Sequence, residues 1–583
     1  MNEVWDLSPL YKDFDDAFEA DLAALKEAID AFGDYVKTLS EVEPVEGLRE
    51  GVRYQERILD LADRLGAYPR LRQSTNTRDT EARSQLGRIQ TVTSSNAGTL
   101  AAFRQWAVSL PDLQQLVASD ELLKEYTFYF DSMVSSARYQ LPGSSEELLA
   151  KLAMSGSGAW GSMRGLVTST AKVQYWGTET NLSAIRNLAR DPDPTVRKEA
   201  YEAELASYEA VRDPVAHAMN AIKLETITEC KLRGYESPLD ASLKEAKLSR
   251  ATLDAMLAAV EAYLPKFRSY MRAKARALGH TNGLPWYDLN APMGTRSGSY
   301  TTEQARDMLL DIFGRFDGEI RDLMATAFEE AWIDFFPRSG KRDGAFCSSS
   351  RSLGRSWIMT NYSGKLAAVA TLAHELGHAF HNRCIHPHRP LNKRYGRPLA
   401  ETASTFNECV FYDAAIAGAK DAGEKLGLIE GCLISEAAMI VDIYSRFLFE
   451  DEVFRRRENE FLSADDLCDI MARAQRTAYG DGLDPEALHP YMWVCKPHYY
   501  SASYYNYPYI FGDLFSRGLY ARYKAEGESF VAKYKKLLYT TTVASVEDTA
   551  AVAGIDLTDK AFWMDALQGI ADMVDEFIQL TEG

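Results

Sequence analysis

The chain has 583 residues, enough to bury a large core in two or more domain-sized units, and its 46% hydrophobic and 26% charged residues exclude a disordered chain. Against 65 basic residues stand 84 acidic ones, a net charge of −19 with no Lys/Arg-rich block, so nucleic acid is not an expected partner. No apolar run reaches the roughly 18 residues a membrane span needs, and Met1-Asn2-Glu3-Val4-Trp5-Asp6-Leu7 lacks the basic start and apolar run of a secretory signal, so no membrane partner and a cytoplasmic location are expected.

In chain order, apolar residues recur at three- and four-residue spacing over 14–40, 45–66, 78–108 and 119–138, predicting long antiparallel helices. Pro142-Gly143-Ser144-Ser145 breaks the chain, and the Gly/Ser-rich stretch 155–162 predicts a flexible or tightly turning segment. Asp191-Pro192-Asp193-Pro194-Thr195 is the strongest punctuation of the first half. It divides an expected N-terminal helical lobe, 1–190, from a second domain, 191–583, that carries the chemistry below. Further helices are predicted over 195–212, 214–233, 250–279, 301–315 and 318–332, and Thr301-Thr302-Glu303-Gln304 has the form of a capping box. The fold class is therefore mainly α, and the absence of a fixed-period repeat weighs against a solenoid.

Three short segments break the helical pattern. Pro285-Trp286-Tyr287-Asp288-Leu289, Gly344-Ala345-Phe346-Cys347 and Ser356-Trp357-Ile358-Met359-Thr360-Asn361-Tyr362 are aromatic and β-branched enough to be strands of a small sheet. An exposed edge at Gly344, Ala345 and Phe346 would hold an extended peptide through main-chain hydrogen bonds, with Gly340-Lys341-Arg342-Asp343-Gly344 as a flexible loop closing over it. A purely stabilising hairpin is the equal alternative.

Next comes the strongest chemical signal, His374-Glu375-Leu376-Gly377-His378, in a run of good helix formers beginning at Leu366. A helix turns by about 100° per residue, so His374 and His378 lie on one face and can share a metal ion, while Glu375 reaches a metal-bound water without being a ligand. A bound cation would also offset the cost of burying two imidazoles and a carboxylate. A hydrolytic zinc site takes three protein ligands and leaves one position for water. The metzincin spacing asks for a glycine and then a histidine further along the helix, and meets His381 and Cys384 at those two positions instead. A following helix supplies Glu401 and Glu408, seven apart on nearly one face, so one Zn²⁺ per chain on His374, His378 and Glu401 is expected, with Glu408 orienting a histidine from behind. His381 reads as a helix-surface or outer-shell histidine, His386 and His388 as loop residues. The seven scattered cysteines (Cys230, Cys347, Cys384, Cys409, Cys432, Cys468, Cys495) read as reduced thiols.

With Glu401 set in Ala400-Glu401-Thr402-Ala403-Ser404-Thr405-Phe406-Asn407-Glu408, this arrangement resembles the M3 family of zinc oligopeptidases. Trp5-Asp6-Leu7, Trp286-Tyr287-Asp288-Leu289, Gly340-Lys341-Arg342-Asp343-Gly344-Ala345 and Pro497-His498-Tyr499-Tyr500 look like its oligoendopeptidase F branch. The resemblance implies a zincin-like body of the gluzincin type: two α-helical lobes, a deep central channel, and a small sheet beside the zinc helix. It also implies an endopeptidase that cuts short unstructured oligopeptides and spares folded proteins. Family members place a histidine and tyrosines over the scissile bond, and here residues 491–509 hold His498 and seven tyrosines. The resemblance carries these catalytic roles to His498, Tyr504 and Tyr507, with Tyr505 a candidate substrate contact; a packed aromatic helix face is the bland reading of several of them. Two alternatives fit the same residues. One is a zinc carboxypeptidase, which needs a cation such as Arg342, Arg394 or Arg397 for the terminal carboxylate; the other is a helical interaction protein retaining an idle motif.

Overall fold

The computed structural model describes residues 2–295 and 298–582. Helices carry most of it, in agreement with the mainly α expectation. The chain divides into two units, each built from three separate segments: Met1–Arg138, Gly298–Phe411 and Glu526–Gly554 form the first, and Tyr139–Ser297, Tyr412–Ala525 and Ile555–Gly583 the second. Residue 190 lies inside the second unit.

In the first unit α1 (Asp16–Lys37) and α2 (Pro44–Thr75) pack together. Asp15 caps α1 by accepting from the amides of Ala17 and Phe18, and Pro44 starts α2 where a missing N–H costs nothing. Their apolar faces build a core with Phe18, Phe32, Leu48, Leu65, Phe103 and Tyr126. A three-stranded sheet joins it: β1 (Ile333–Asp334), β2 (Phe346–Ser350) and β3 (Arg355–Met359), in the order β1-β3-β2, with β3 parallel to β1 and antiparallel to β2. The N-terminal stretch is tied to this sheet region. Asp6 donates its amide to the Ala331 carbonyl (2.7 Å) and accepts from Trp357 Nε1 (2.8 Å), so the opening residues are part of the core. The metal-motif helix α3 (Leu366–Ile385) packs on β2, β3 and the helix Glu528–Thr540, and α4 (Thr402–Ala417) follows it.

The second unit is organised around Arg250–Ala277 packed on Lys560–Glu582, with a further core that includes Phe449, Leu467 and Trp493. Its interior also holds charge pairs, Lys223 on Glu450 (2.6 Å) and Arg197 on Asp288 (2.7 Å), all four side chains almost fully buried. Such pairs survive burial because each partner satisfies the other. No helix among the described residues is long and apolar enough to cross a membrane.

Three expectations differ from the structure. The stretch 155–162 is helical, with Gly143–Ser155 and Ser157–Ser169 meeting at Gly156. Glu225 caps the second helix by accepting from the Ser157 amide and hydroxyl (2.7 Å each), a tertiary partner that local composition does not reveal. Trp286–Asp288 is a single 3-10 turn rather than a strand, with the Asp288 carboxylate held by Arg197 and by His280 (2.6 Å). The loop 340–344 is pinned: Lys341 sits on the buried Asp334 carboxylate (2.6 Å), the Arg342 amide donates to the Ser74 carbonyl (2.9 Å), and Asn361 Nδ2 donates to the carbonyls of Arg342 and Gly344 (2.9 Å each). The capping box is as expected, with reciprocal Thr301 and Gln304 contacts of 2.8 and 3.2 Å.

Candidate metal centre

α3 forms because its alanines and leucines favour helix and its apolar side, from Leu366 through Ala373 to Phe380, is buried. The face one turn long between His374 and His378 carries the two imidazoles, their ring centroids 4.9 Å apart. Both Nε2 atoms lie 3.3 Å from Glu401 Oε2. One ligand atom each of His374, His378 and Glu401 falls within a 4.8 Å cluster. Glu401 sits just ahead of α4, and Ser404 Oγ donates to the same Oε2 (2.8 Å), holding the carboxylate in place.

Gly377 explains why two helices can come this close. A Cβ there would lie 2.5 Å from the Ala403 carbonyl oxygen and 2.7 Å from Ser404 Cα, both backbone atoms of α4 or its first turn. Only a glycine lets α4 approach and present Glu401. Asn407 Nδ2 then donates to the Ala373 carbonyl (2.9 Å), fastening the pair of helices within the core.

Glu408, seven residues beyond Glu401, accepts from His374 Nδ1 at 3.1 Å. A proton on Nδ1 leaves Nε2 as the donor atom toward a metal, the tautomer that ligation requires. The electrostatics follow from this packing. Burial alone would raise the Glu401 carboxyl, but hydrogen bonds from His374 and His378 overcome it and hold Glu401 far below the ordinary carboxylate range. Burial works to lower His374, and Glu401 and Glu408 together override it, raising the imidazole to about 10. Glu375 is 5% exposed; burial pushes its carboxyl up, the two histidines acting the other way. Its Oε2 is buried without a hydrogen-bond partner among the described residues. Two imidazoles and one carboxylate form a donor set that suits Zn²⁺, and the unpartnered Glu375 carboxylate lies beside it without belonging to it.

β2 is an edge strand, pairing only with β3 within the sheet. Gly344 has φ +84, a backbone conformation suited to glycine at the strand entry. Phe346 starts the strand opposite Met359 and turns its ring toward Trp5 (6.3 Å). His381 is neither on the helix surface nor a ligand. It is fully buried, with Nε2 2.9 Å from Thr541 Oγ1 and the ring stacked on Tyr395 at 4.2 Å. All seven cysteines are free thiols.

His498, Tyr504, Tyr505 and Tyr507 belong to the second unit. There Tyr504, at φ 51, is buried and donates its hydroxyl to Asp451 (2.9 Å), and the fully buried Tyr507 has its hydroxyl 3.2 Å from Ser242 Oγ. His498 is half-buried, with the Tyr505 and Tyr509 rings 4.9 and 6.1 Å away. Burial, then Arg446 and Lys496, push its imidazole below the ordinary range. Sequence reasoning did not single out Gly377, Ser404 or Tyr509. Glycine inside a strong helix was the available signal for the first, and the four-residue step from Tyr505 for the last.

A family model described as "Peptidase family M3" matches residues 317–569, and one described as "Oligopeptidase F" matches 107–172. The chain is 22% identical to Oligopeptidase PepF of Bacillus subtilis over 99% of this chain and 87% of that one. It is 25% identical to Group B oligopeptidase PepB of Streptococcus agalactiae over 96% and 94%. Oligoendopeptidase-F from Enterococcus faecium shares its fold, with a TM-score of 0.69 at 19% identity over 97% of this chain and 99% of that one.

Proposed function

Because the chain belongs to peptidase family M3, in its oligoendopeptidase F branch, we propose that this peptidase is a zinc-dependent endopeptidase hydrolysing internal bonds of short unstructured oligopeptides. The observation that carries the reading is the convergence of His374 Nε2, His378 Nε2 and Glu401 Oε2 beside the unpartnered carboxylate oxygen of Glu375. Zn²⁺ held by these three residues would supply Lewis acidity to a water and to the scissile carbonyl. Every other step falls to the chain's own groups. Glu408 keeps His374 in the ligating tautomer, and Ser404 keeps the Glu401 carboxylate aimed. The edge of β2 holds the peptide extended by main-chain hydrogen bonds.

Glu375 accepts the proton of the attacking water as the C–O bond forms, then returns it to the leaving nitrogen as the C–N bond breaks. Its burial suits this role, because a carboxyl raised from its ordinary range holds a proton long enough to pass it on. By the family resemblance, His498 and a tyrosine hydroxyl of the 504–507 segment donate to the developing oxyanion, a contribution of roughly 3 to 4 kcal/mol per donor. The free cysteines suit a reducing, cytoplasmic setting.

The test is an internally quenched peptide of about ten residues blocked at both ends. Internal cleavage located by mass spectrometry and abolished by chelation supports the reading. Cleavage only after the C-terminus is unblocked would replace it with a carboxypeptidase.

A further inference from the structure

Beyond the metal centre α3 runs into a cleft of ≈410 Å³ within the first unit. Asn382, one turn past His378 and donating to its carbonyl (2.8 Å), lines it, as does His386 one turn further. A second wall is the C-terminal half of β2 and its turn, from Ser348 to Arg351. Tyr395, also in the lining, stacks on His381 of α3 at 4.2 Å, and Cys347 of β2 lines the cleft as well, so the cleft lies along the helix that bears the histidines.

Its lining is markedly cationic for a chain of net charge −19. Arg70 from α2, Arg351, Lys393 and Arg394 face a single lining carboxylate, Asp63. That carboxylate is already engaged, accepting from the Arg351 amide (3.0 Å) and from Ser350 Oγ (3.5 Å), and Lys393 Nζ donates to the Arg351 carbonyl (2.8 Å). Among the described residues no ion pair or hydrogen bond engages the guanidinium groups of Arg70, Arg351 or Arg394. Elsewhere in the same unit Arg49, Arg72 and Arg389 are each paired with a carboxylate. Arg351 lies within electrostatic reach of both Arg70 and Lys393, and the nearby carboxylates are Asp63 and, behind Lys393, Asp60, so cations outnumber anions here by two. Planar forks of this kind match a carboxylate in two-point geometry.

We propose that this cleft is a substrate subsite that receives a carboxylate of the bound peptide, held by Arg351 together with Arg70 and Arg394. The proposal deepens the peptidase reading and rests on it, because the cleft is walled by the strand proposed to hold the peptide and by the helix that bears the histidines. It also sets the substrate class: peptides with an acidic side chain a short distance from the cut bond, or peptides whose C-terminal carboxylate falls there. Such a subsite draws acidic peptides to one point of an acidic protein, which net charge alone would not suggest.

Binding to the Glu375→Gln protein, in which turnover is slow enough for binding to be read first, tests the cleft apart from catalysis. Fluorescence anisotropy would compare a labelled neutral peptide with a C-terminal amide, the same peptide with Glu replacing Gln at successive positions, and the neutral peptide with a free carboxylate. The expected result is about tenfold tighter binding of at least one carboxylate-bearing peptide, a preference that shrinks in about 0.5 M salt, where screening falls to a few ångströms. A gain on the Glu series identifies a side-chain subsite, and a gain on the free acid a terminal one. Arg351→Gln, and separately the exposed pair Arg70→Gln with Arg394→Gln, should bring the ratio below threefold. Binding of all peptides within twofold of the neutral amide, undetectable binding of all of them, or a preference that survives both sets of substitutions overturns the proposal. A wild-type protein that binds with the expected preference but cleaves none of the peptides would leave the subsite standing and remove the endopeptidase reading.

Discussion

In the metal centre, polar side chains meet through their spacing along two helices, whereas in residues 491–509 packing decides which polar groups are presented. His374 and His378 are one turn apart, Glu401 and Glu408 two turns apart, and each pair needs only a regular helix to bring its members onto one face. The tyrosines of the other stretch have no such rule. Tyr504 and Tyr507 are buried with hydroxyls already bonded, while Tyr505 and Tyr509 flank the half-buried His498. Chemistry written into helical periodicity survives folding unchanged; chemistry written into a dense aromatic run is redistributed by it.

Substitutions can sharpen or break this contrast. The largest expected effect is at the ligands: His378→Ala should lose bound zinc and, with it, activity by on the order of 10⁴-fold, read by metal analysis and peptide turnover. Glu375→Gln should lower kcat by about 10² to 10⁴-fold, the range for a positioned acid–base group. Gly377→Ala places a methyl against the backbone of α4, so it should weaken zinc by about tenfold or more and cost ~1 to 3 kcal/mol of stability, seen in zinc titration and thermal unfolding. Wild-type zinc affinity in this variant would remove the close approach from the account. Glu408→Gln should weaken zinc by about 10 to 100-fold while leaving stability nearly intact, because Glu408 acts through His374.

The smallest effects belong to the tyrosines. Tyr504→Phe strands a bond to the exposed Asp451 and should cost only ~0.5 to 1.5 kcal/mol, lowering Tm with little change in kcat. Tyr505→Phe and Tyr509→Phe, part-exposed around His498, should shift kcat more than Tm. The reverse split would return the donor role to Tyr504.

Much of this molecule was readable in the amino-acid sequence because its helices are long, amphipathic and capped. The helix from Thr302, with its capping box, and α3, with its alanine-rich lead-in, are formed largely by local preference. What was not readable depended on distant partners. A new helix starts at Ser157, straight after Gly156, where Glu225, far along the chain, accepts from the Ser157 amide and hydroxyl. The 340–344 loop is fastened by Asp334 and Ser74. His381 read as a helix-surface or outer-shell histidine, because its spacing from His378 says nothing about Thr541 and Tyr395, which enclose it. The cationic cleft gathers Arg70, Arg351 and Arg394 from three separate places, so no linear motif announces it.

The central claim is that His374, His378 and Glu401 bind the metal while Glu375, between the two histidines in sequence, does not. Zinc content per chain, measured by elemental mass spectrometry on Glu375→Gln and Glu401→Ala proteins purified and loaded identically, tests it most directly. The account predicts one zinc in Glu375→Gln and little or none in Glu401→Ala. Loss of zinc from Glu375→Gln, or full retention by Glu401→Ala, would contradict it.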